Sequence, residues 1–211
     1  MSDAMTTAGR RQPTQARAKE RVELILSIAQ ARIAASGSDA LRMSDIAAEA
    51  GISIGSLYQY FPDKAAIIGT LAERYNAEGQ ACVAAIFAGV TEPAHLEAAL
   101  VATLDGYYRM FCAEPVMRDI WSATLADKAL QEIDAADCRA HGEQLADLLH
   151  RLKSAKRQRD ERDRAAFLTM QLIAAIVRAA IAQPRQEGDA LIETAKRLRP
   201  WAGLVDQIVA Q

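Results

Sequence analysis

Ser53, Ser56, Tyr58, Gln59 and Tyr60 fall within eight residues, and Lys64 follows shortly after. Hydroxyls, a carboxamide and an ammonium at this density suit hydrogen bonds to phosphates and to base edges in a major groove. Their surroundings predict two short helices, from about Met43 to Ala50 and from Ile54 to Tyr60, joined by three residues. Ala47 and Gly51, four apart, let the second helix come close, and Gly51 permits the positive φ of a tight turn. Ile46, Ile52 and Leu57 point inward. Ile54, Gly55, Ser56, Tyr58, Gln59 and Tyr60 are left on or near the outer face. Free amides at the start of this helix and of the next suit phosphates as well. On the pattern alone, a helical corner with incidental tyrosines stays an alternative.

Elsewhere the chemistry is sparser. Leu104, Tyr107, Tyr108, Met110, Phe111, Met117, Ile120 and Trp121 gather around the Glu114-Pro115 break and suit either a pocket for an apolar or amphipathic ligand or an ordinary core. Cys138 and His141, with Asp134 and Asp137 nearby, read as a surface-facing polar stretch rather than a metal site. No Ser-His-Asp order, nucleotide-binding glycine loop or zinc-protease motif is present, so no catalytic residue, metal or cofactor is expected.

The elements that position these residues all read as helices. The 211 residues hold 25 Lys plus Arg against 27 Asp plus Glu, which excludes a uniformly basic nucleic-acid coat but not a local basic face. Five positive charges and one negative fall within Arg10–Arg21, so the rest of the chain carries net −6. Residues Met1 to about Gln15 read as a flexible arm, and Arg10, Arg11 and Arg17 suit either a solvated tail or a DNA backbone. Helices are expected over about 17–35, closed by Gly37, and from Asp63 to about Ala88. Others follow from Thr91 to about Ala113, from Pro115 to about Leu125, over 128–153, up to about Gln183, and from Asp189, with Pro200 breaking the last. Lys153, Lys156, Arg157 and Arg159, with the charges up to Arg164, read as a solvated connection. Cys82, Cys112 and Cys138 imply no disulfide framework. The uncharged run Ala165–Val177 is too short to span a membrane, so a soluble cytoplasmic protein without membrane contact is expected.

The run Ile46-Ala47, Ala50-Gly51-Ile52-Ser53, Gly55-Ser56-Leu57-Tyr58-Gln59-Tyr60-Phe61 and Lys64 closely resembles the N-terminal signature of the tetracycline-repressor (TetR) family. The match extends back to Arg21, Ile25, Leu26 and Ala29 and forward to about Leu71, roughly the first third of the chain. The resemblance implies an all-α homodimer with two domains: a helix-turn-helix DNA-binding head, residues 1–64, and a ligand-binding and dimerising body, residues 65–211. It implies phosphate contacts for Ser56, Tyr58, Tyr60 and Lys64, base-edge positions for Ile54, Gly55 and Gln59, and a DNA-contacting position for Ser44. Two departures stand out. Ile54 occupies a place where Lys is common, and Arg42 one where a capping Thr is frequent, so Ser44 is available to cap the first short helix instead.

In the body, the resemblance implies that the last two long helices pair with their symmetry mates as a four-helix interface. The apolar faces available are Ile173, Ile176, Val177 and Ala180 on one helix, with Leu191, Ala195, Leu198, Ala202 and Val205 on the last. The same residues also suit an internal core. The implied function is a repressor that binds a palindromic double-stranded DNA operator and is released by a small-molecule effector held near Leu104, Tyr107, Tyr108, Phe111, Met117 and Trp121. Alternatives are an effector-independent regulator, an activator, or a helical ligand-binding protein or enzyme whose head no longer binds DNA.

Overall fold

The structure, a computed structural model, describes residues 8–152 and 159–209. Lys153, Lys156, Arg157 and the first seven residues of the expected arm lie outside them. Among the described residues the only regular elements are helices: α1 (Ala8–Ser36), α2 (Met43–Glu49), α3 (Ile54–Tyr60), α4 (Lys64–Ala88), α5 (Leu96–Ala113), α6 (Val116–Ala126), α7 (Gln131–Leu152), α8 (Arg159–Ile181), α9 (Arg185–Leu198) and α10 (Ala202–Val209). The fold class is all-α, as expected.

Three boundaries differ from expectation. Helix α1 starts at Ala8 rather than near residue 17, in a stretch where Ala, Arg and Gln are strong helix formers. Helix α8 starts at Arg159, so the charges up to Arg164 are helical and not a solvated connection. Asp160 and Glu161 complement its N-terminal dipole, and Arg162 is buried. Helix α9 starts at Arg185, directly after Pro184, instead of at Asp189. As a whole helix of 23 residues, α8 is long and apolar enough by length and composition to cross a membrane, which the shorter uncharged run concealed. Within the fold it packs on α5, α7 and α9.

The chain divides into two compact units between Leu71 and Ala72, inside α4. Ile67, Ile68 and Leu71 are buried within the first unit, which carries it two turns into the helix. In this unit Ile25, Leu26, Ile33, Ile46 and Leu57 are almost wholly buried. Arg32 reaches across to Asp45 at 3.2 Å and Glu49 at 2.9 Å, orienting α2 on α1. These pairs are half-exposed, so they fix geometry more than they add stability.

The second unit has one large core built on Leu96, Leu100, Leu104, Leu145, Leu148, Leu149, Ile173, Val177 and Trp201. Two glycines let its helices close. A Cβ on Gly142 of α7 would lie 3.1 Å from the Cα of Phe167 on α8. A Cβ on Gly188 of α9 would lie 2.7 Å from the carbonyl oxygen of Ala180 and 2.6 Å from the Tyr108 hydroxyl. Pro200 does separate α9 from α10: Arg199 before it takes φ 48° and pairs with Glu97 on α5. All three cysteines are free thiols.

Gly51 has φ 64° and its missing Cβ would meet nothing within 4 Å, so only the backbone conformation demands glycine there. Gly51→Ala is expected to lower stability by about 1 kcal/mol through the left-handed penalty. Denaturant unfolding checks it.

Candidate nucleic-acid interface and ligand cavity

In the first unit α3 is held from beneath and left bare above. Leu57 is fully buried, Phe61 ends the helix in the core, and Ser53 caps it by accepting from the Ser56 amide at 3.1 Å. Arg21 donates to the Ala50 carbonyl at 3.3 Å, closing α1 against the turn. With Leu57 fixed inward, helical geometry turns Ile54, Gly55, Tyr58 and Gln59 outward as two i, i+4 pairs. All four are exposed, Tyr58 by 50%, and Tyr60 lies at the edge of the same surface. Ser56 is half-buried, its hydroxyl 2.9 Å from that of Ser53.

Lys64 is exposed and its Nζ donates to the Asp39 carbonyl at 3.4 Å, a contact weak enough to exchange. Ser44 does not cap α2. Arg42 occupies the cap position with no side-chain bond, and the exposed Ser44 hydroxyl sits 3.2 Å from Asp45 instead. The two helix N-termini also offer fewer amides than expected. Ser53 satisfies the Ser56 amide, and Asp63 that of Ala66 at 2.8 Å.

The second unit contains a cavity of about 80 Å³, on the scale where one water takes about 10–15 Å³. Four of the six expected pocket residues, Tyr107, Phe111, Met117 and Trp121, line it together. Leu104 does not, being fully buried in the core. Tyr108 does not either, since its hydroxyl turns toward Gly188 on α9. Tyr75, Met110, Ile120 and Met170 complete the apolar wall, and Phe111 and Trp121 stack with ring centres 5.0 Å apart.

The remaining wall overturns a reading. The stretch Asp134, Asp137, Cys138 and His141 faces this cavity and not the surface, with His141 only 6% exposed. These positions continue, at helical spacing, the inward stripe that Leu145, Leu148 and Leu149 form further along α7. That continuity was the available signal. The Tyr107 hydroxyl donates to His141 Nε2. In the tautomer that goes with this bond, Nδ1–H donates to Gln144 Oε1 at 3.2 Å, and the Gln144 amide donates to the Gln80 carbonyl at 3.0 Å. Gln80 Nε2 in turn donates to Asp137 at 2.7 Å, and the Trp121 indole N–H to Asp134 at 3.0 Å. Burial, then the charge of Asp137, pushes the Tyr107 phenol well above its ordinary value, so it stays a donor. Among the described residues no group of three or more His, Cys, Asp or Glu has a metal-holding arrangement.

The expected interface residues divide. Ile173, Val177, Ala180, Ala195 and Val205 are buried in the chain's own core and present nothing to a partner. Ile176, Leu191 and Ala202 are half-buried, and Leu198 is 75% exposed. The apolar face that α8 does leave bare runs through Leu168, 60% exposed, and Leu172, 45% exposed, to Ala175 and Ala179.

Tyr107→Phe leaves the buried His141 Nε2 without its donor and is expected to cost about 1–3 kcal/mol. Unfolding curves of the variant beside the parent chain measure it.

Residues 25–71 match the family described as bacterial regulatory proteins, tetR family, and residues 94–199 match the tetracyclin repressor-like C-terminal domain. No curated protein sequence matches the chain. Solved structures similar in fold include a TetR-family transcriptional regulator from Streptomyces coelicolor, 24% identical with TM-score 0.64, over 88% of this chain and 99% of that one. The fatty acid degradation regulator FadR from Bacillus halodurans is 17% identical with TM-score 0.65, over 84% and 93%. The regulator FadR from Bacillus subtilis, in complex with stearoyl-CoA, is 14% identical with TM-score 0.61, over 89% and 97%.

Proposed function

The chain belongs to the TetR family of bacterial regulatory proteins, and on that premise we propose that it is a homodimeric repressor released from a palindromic operator by a small molecule. The observation that carries this reading is the outer face of α3. Ile54, Gly55, Tyr58 and Gln59 stand exposed on a helix whose other side is locked by Leu57. Tyr58, Tyr60, Ser56 and Lys64 grip phosphates, while Gln59 and Ile54 meet base edges, Ile54 by contact with a thymine methyl. Ser44 lies on the neighbouring helix, within reach of the backbone, and Arg17 on α1 adds charge.

A single reading helix spans one half-site, so operator recognition needs a second copy about 34 Å away along the duplex. The bare stripe Leu168, Leu172, Ala175 and Ala179 on α8, with Leu198 on α9, supplies a self-complementary apolar surface for that copy. The cavity between α4, α5, α6, α7 and α8 takes the effector. Its wall includes Tyr75 and Gly79 on α4, the helix whose first residue is Lys64. A ligand that prefers the DNA-incompetent state about 100-fold supplies about 2.7 kcal/mol of coupling. The stearoyl-CoA complex of the Bacillus subtilis regulator is a precedent for a ligand in this fold, not for its identity here.

Selection of genomic fragments by the purified protein, followed by a salt titration on the enriched duplex, tests the proposal. A palindrome whose affinity falls steeply with salt is expected; failure to enrich any duplex overturns it. Tyr58→Phe and Lys64→Ala should each weaken binding by about 1 kcal/mol on every duplex alike. Leu172→Glu should turn the dimer into a monomer in sedimentation, since a charge would be buried against its own copy.

A further inference from the structure

The polar groups of the cavity carry a sign. Its described lining includes two carboxylates, Asp134 and Asp137, and neither Lys nor Arg. The donors that reach those carboxylates are an indole N–H, an amide and a thiol, all uncharged, beside the His141 ring 3.4 Å from Asp137. Hydrogen bonds from neutral donors satisfy lone pairs but leave the charge uncancelled. The nearby guanidinium, Arg178, is exposed outside the lining, 4.4 Å from the Trp121 ring centroid, and its charge, felt at Cys138, offsets only part of that of the two carboxylates.

The field of the two carboxylates is felt at Cys138, which burial and then Asp134 and Asp137 hold above its ordinary value although a hydrogen bond to Gln171 and the charge of Arg178 pull the other way. The same lining holds Trp121, Phe111, Tyr107 and Tyr75 with the thioethers of Met110, Met117 and Met170. Aromatic faces attract cations and carboxylates hold them; an anion would meet both as repulsion.

We infer that the effector is a compact organic cation, an amine or quaternary ammonium carried on an aromatic or branched apolar group, held by Asp134 and Asp137 within the aromatic and thioether wall. This rests on the cavity being the effector site. An acyl-CoA or fatty acid is disfavoured by the same wall, because its described lining sets two carboxylates and neither Lys nor Arg against a phosphate or a carboxylate.

The test is calorimetric titration of the full-length protein with three ligands of matched size: benzylammonium, benzyl alcohol and benzoate. Benzylammonium is expected to bind at least about tenfold more tightly than benzyl alcohol, and benzoate not measurably. Asp134→Asn and Asp137→Asn should each weaken benzylammonium at least about tenfold while leaving benzyl alcohol unchanged. The alcohol also reports that each variant is folded with its cavity intact. Benzoate binding as well as benzylammonium, or variants that bind the cation undiminished, overturns the charge preference and leaves the cavity as an effector site. If none of the three binds at millimolar concentration, the effector-site reading falls and takes the inference with it.

Discussion

The body of this protein depends on one place where two helices meet without a side chain between them. At Gly142 the backbone of α7 lies so close to Phe167 that a methyl group would sit 3.0 Å from the ring. That approach fixes the rotation of α7. With Gly142 against α8, the residues one, four, five and eight positions earlier are His141, Cys138, Asp137 and Asp134, and they are turned into the cavity. The residues three, six and seven later are Leu145, Leu148 and Leu149, and they are turned into the core. A larger residue at 142 would force the helices apart or rotate them, and the polar wall would move with them.

The head was legible from local chemistry. Ser53 as a cap, Gly51 at positive φ and the spans of α2 and α3 follow from residues whose roles are set within a turn or two of the chain. Several ends of the long helices were legible too, since Gly37, Asp63 and Pro200 mark them plainly, whereas the starts of α1 and α8 carry no such mark. What eluded sequence reasoning depends on distant partners. Whether Tyr108 or Tyr107 faces the cavity is decided by Gly188, which admits the Tyr108 hydroxyl on the other side of α5. Polar residues on α7 looked like surface because polarity usually is surface; a cavity with a polar wall inside the fold reverses the inference.

Helix α8 shows the same limit in another form. It is apolar nearly all round, so periodicity identifies no single inner face. Ile173, Val177 and Ala180 are the more hydrophobic-looking stripe and serve the core, while Leu168 and Leu172 stay bare. Which stripe turns inward is set by the helices packed against it, α5, α7 and α9.

Cys138 lines the cavity, yet its setting makes it a poor nucleophile. Only the thiolate attacks an electrophile or yields to peroxide, and burial together with two neighbouring carboxylates keeps the proton on this sulfur. The wall therefore has a thiol's softness and polarisability without its reactivity. Quinones, aldehydes and oxidants that reach the cavity would meet a sulfur less reactive than a free thiol, which favours reversible occupancy over covalent capture.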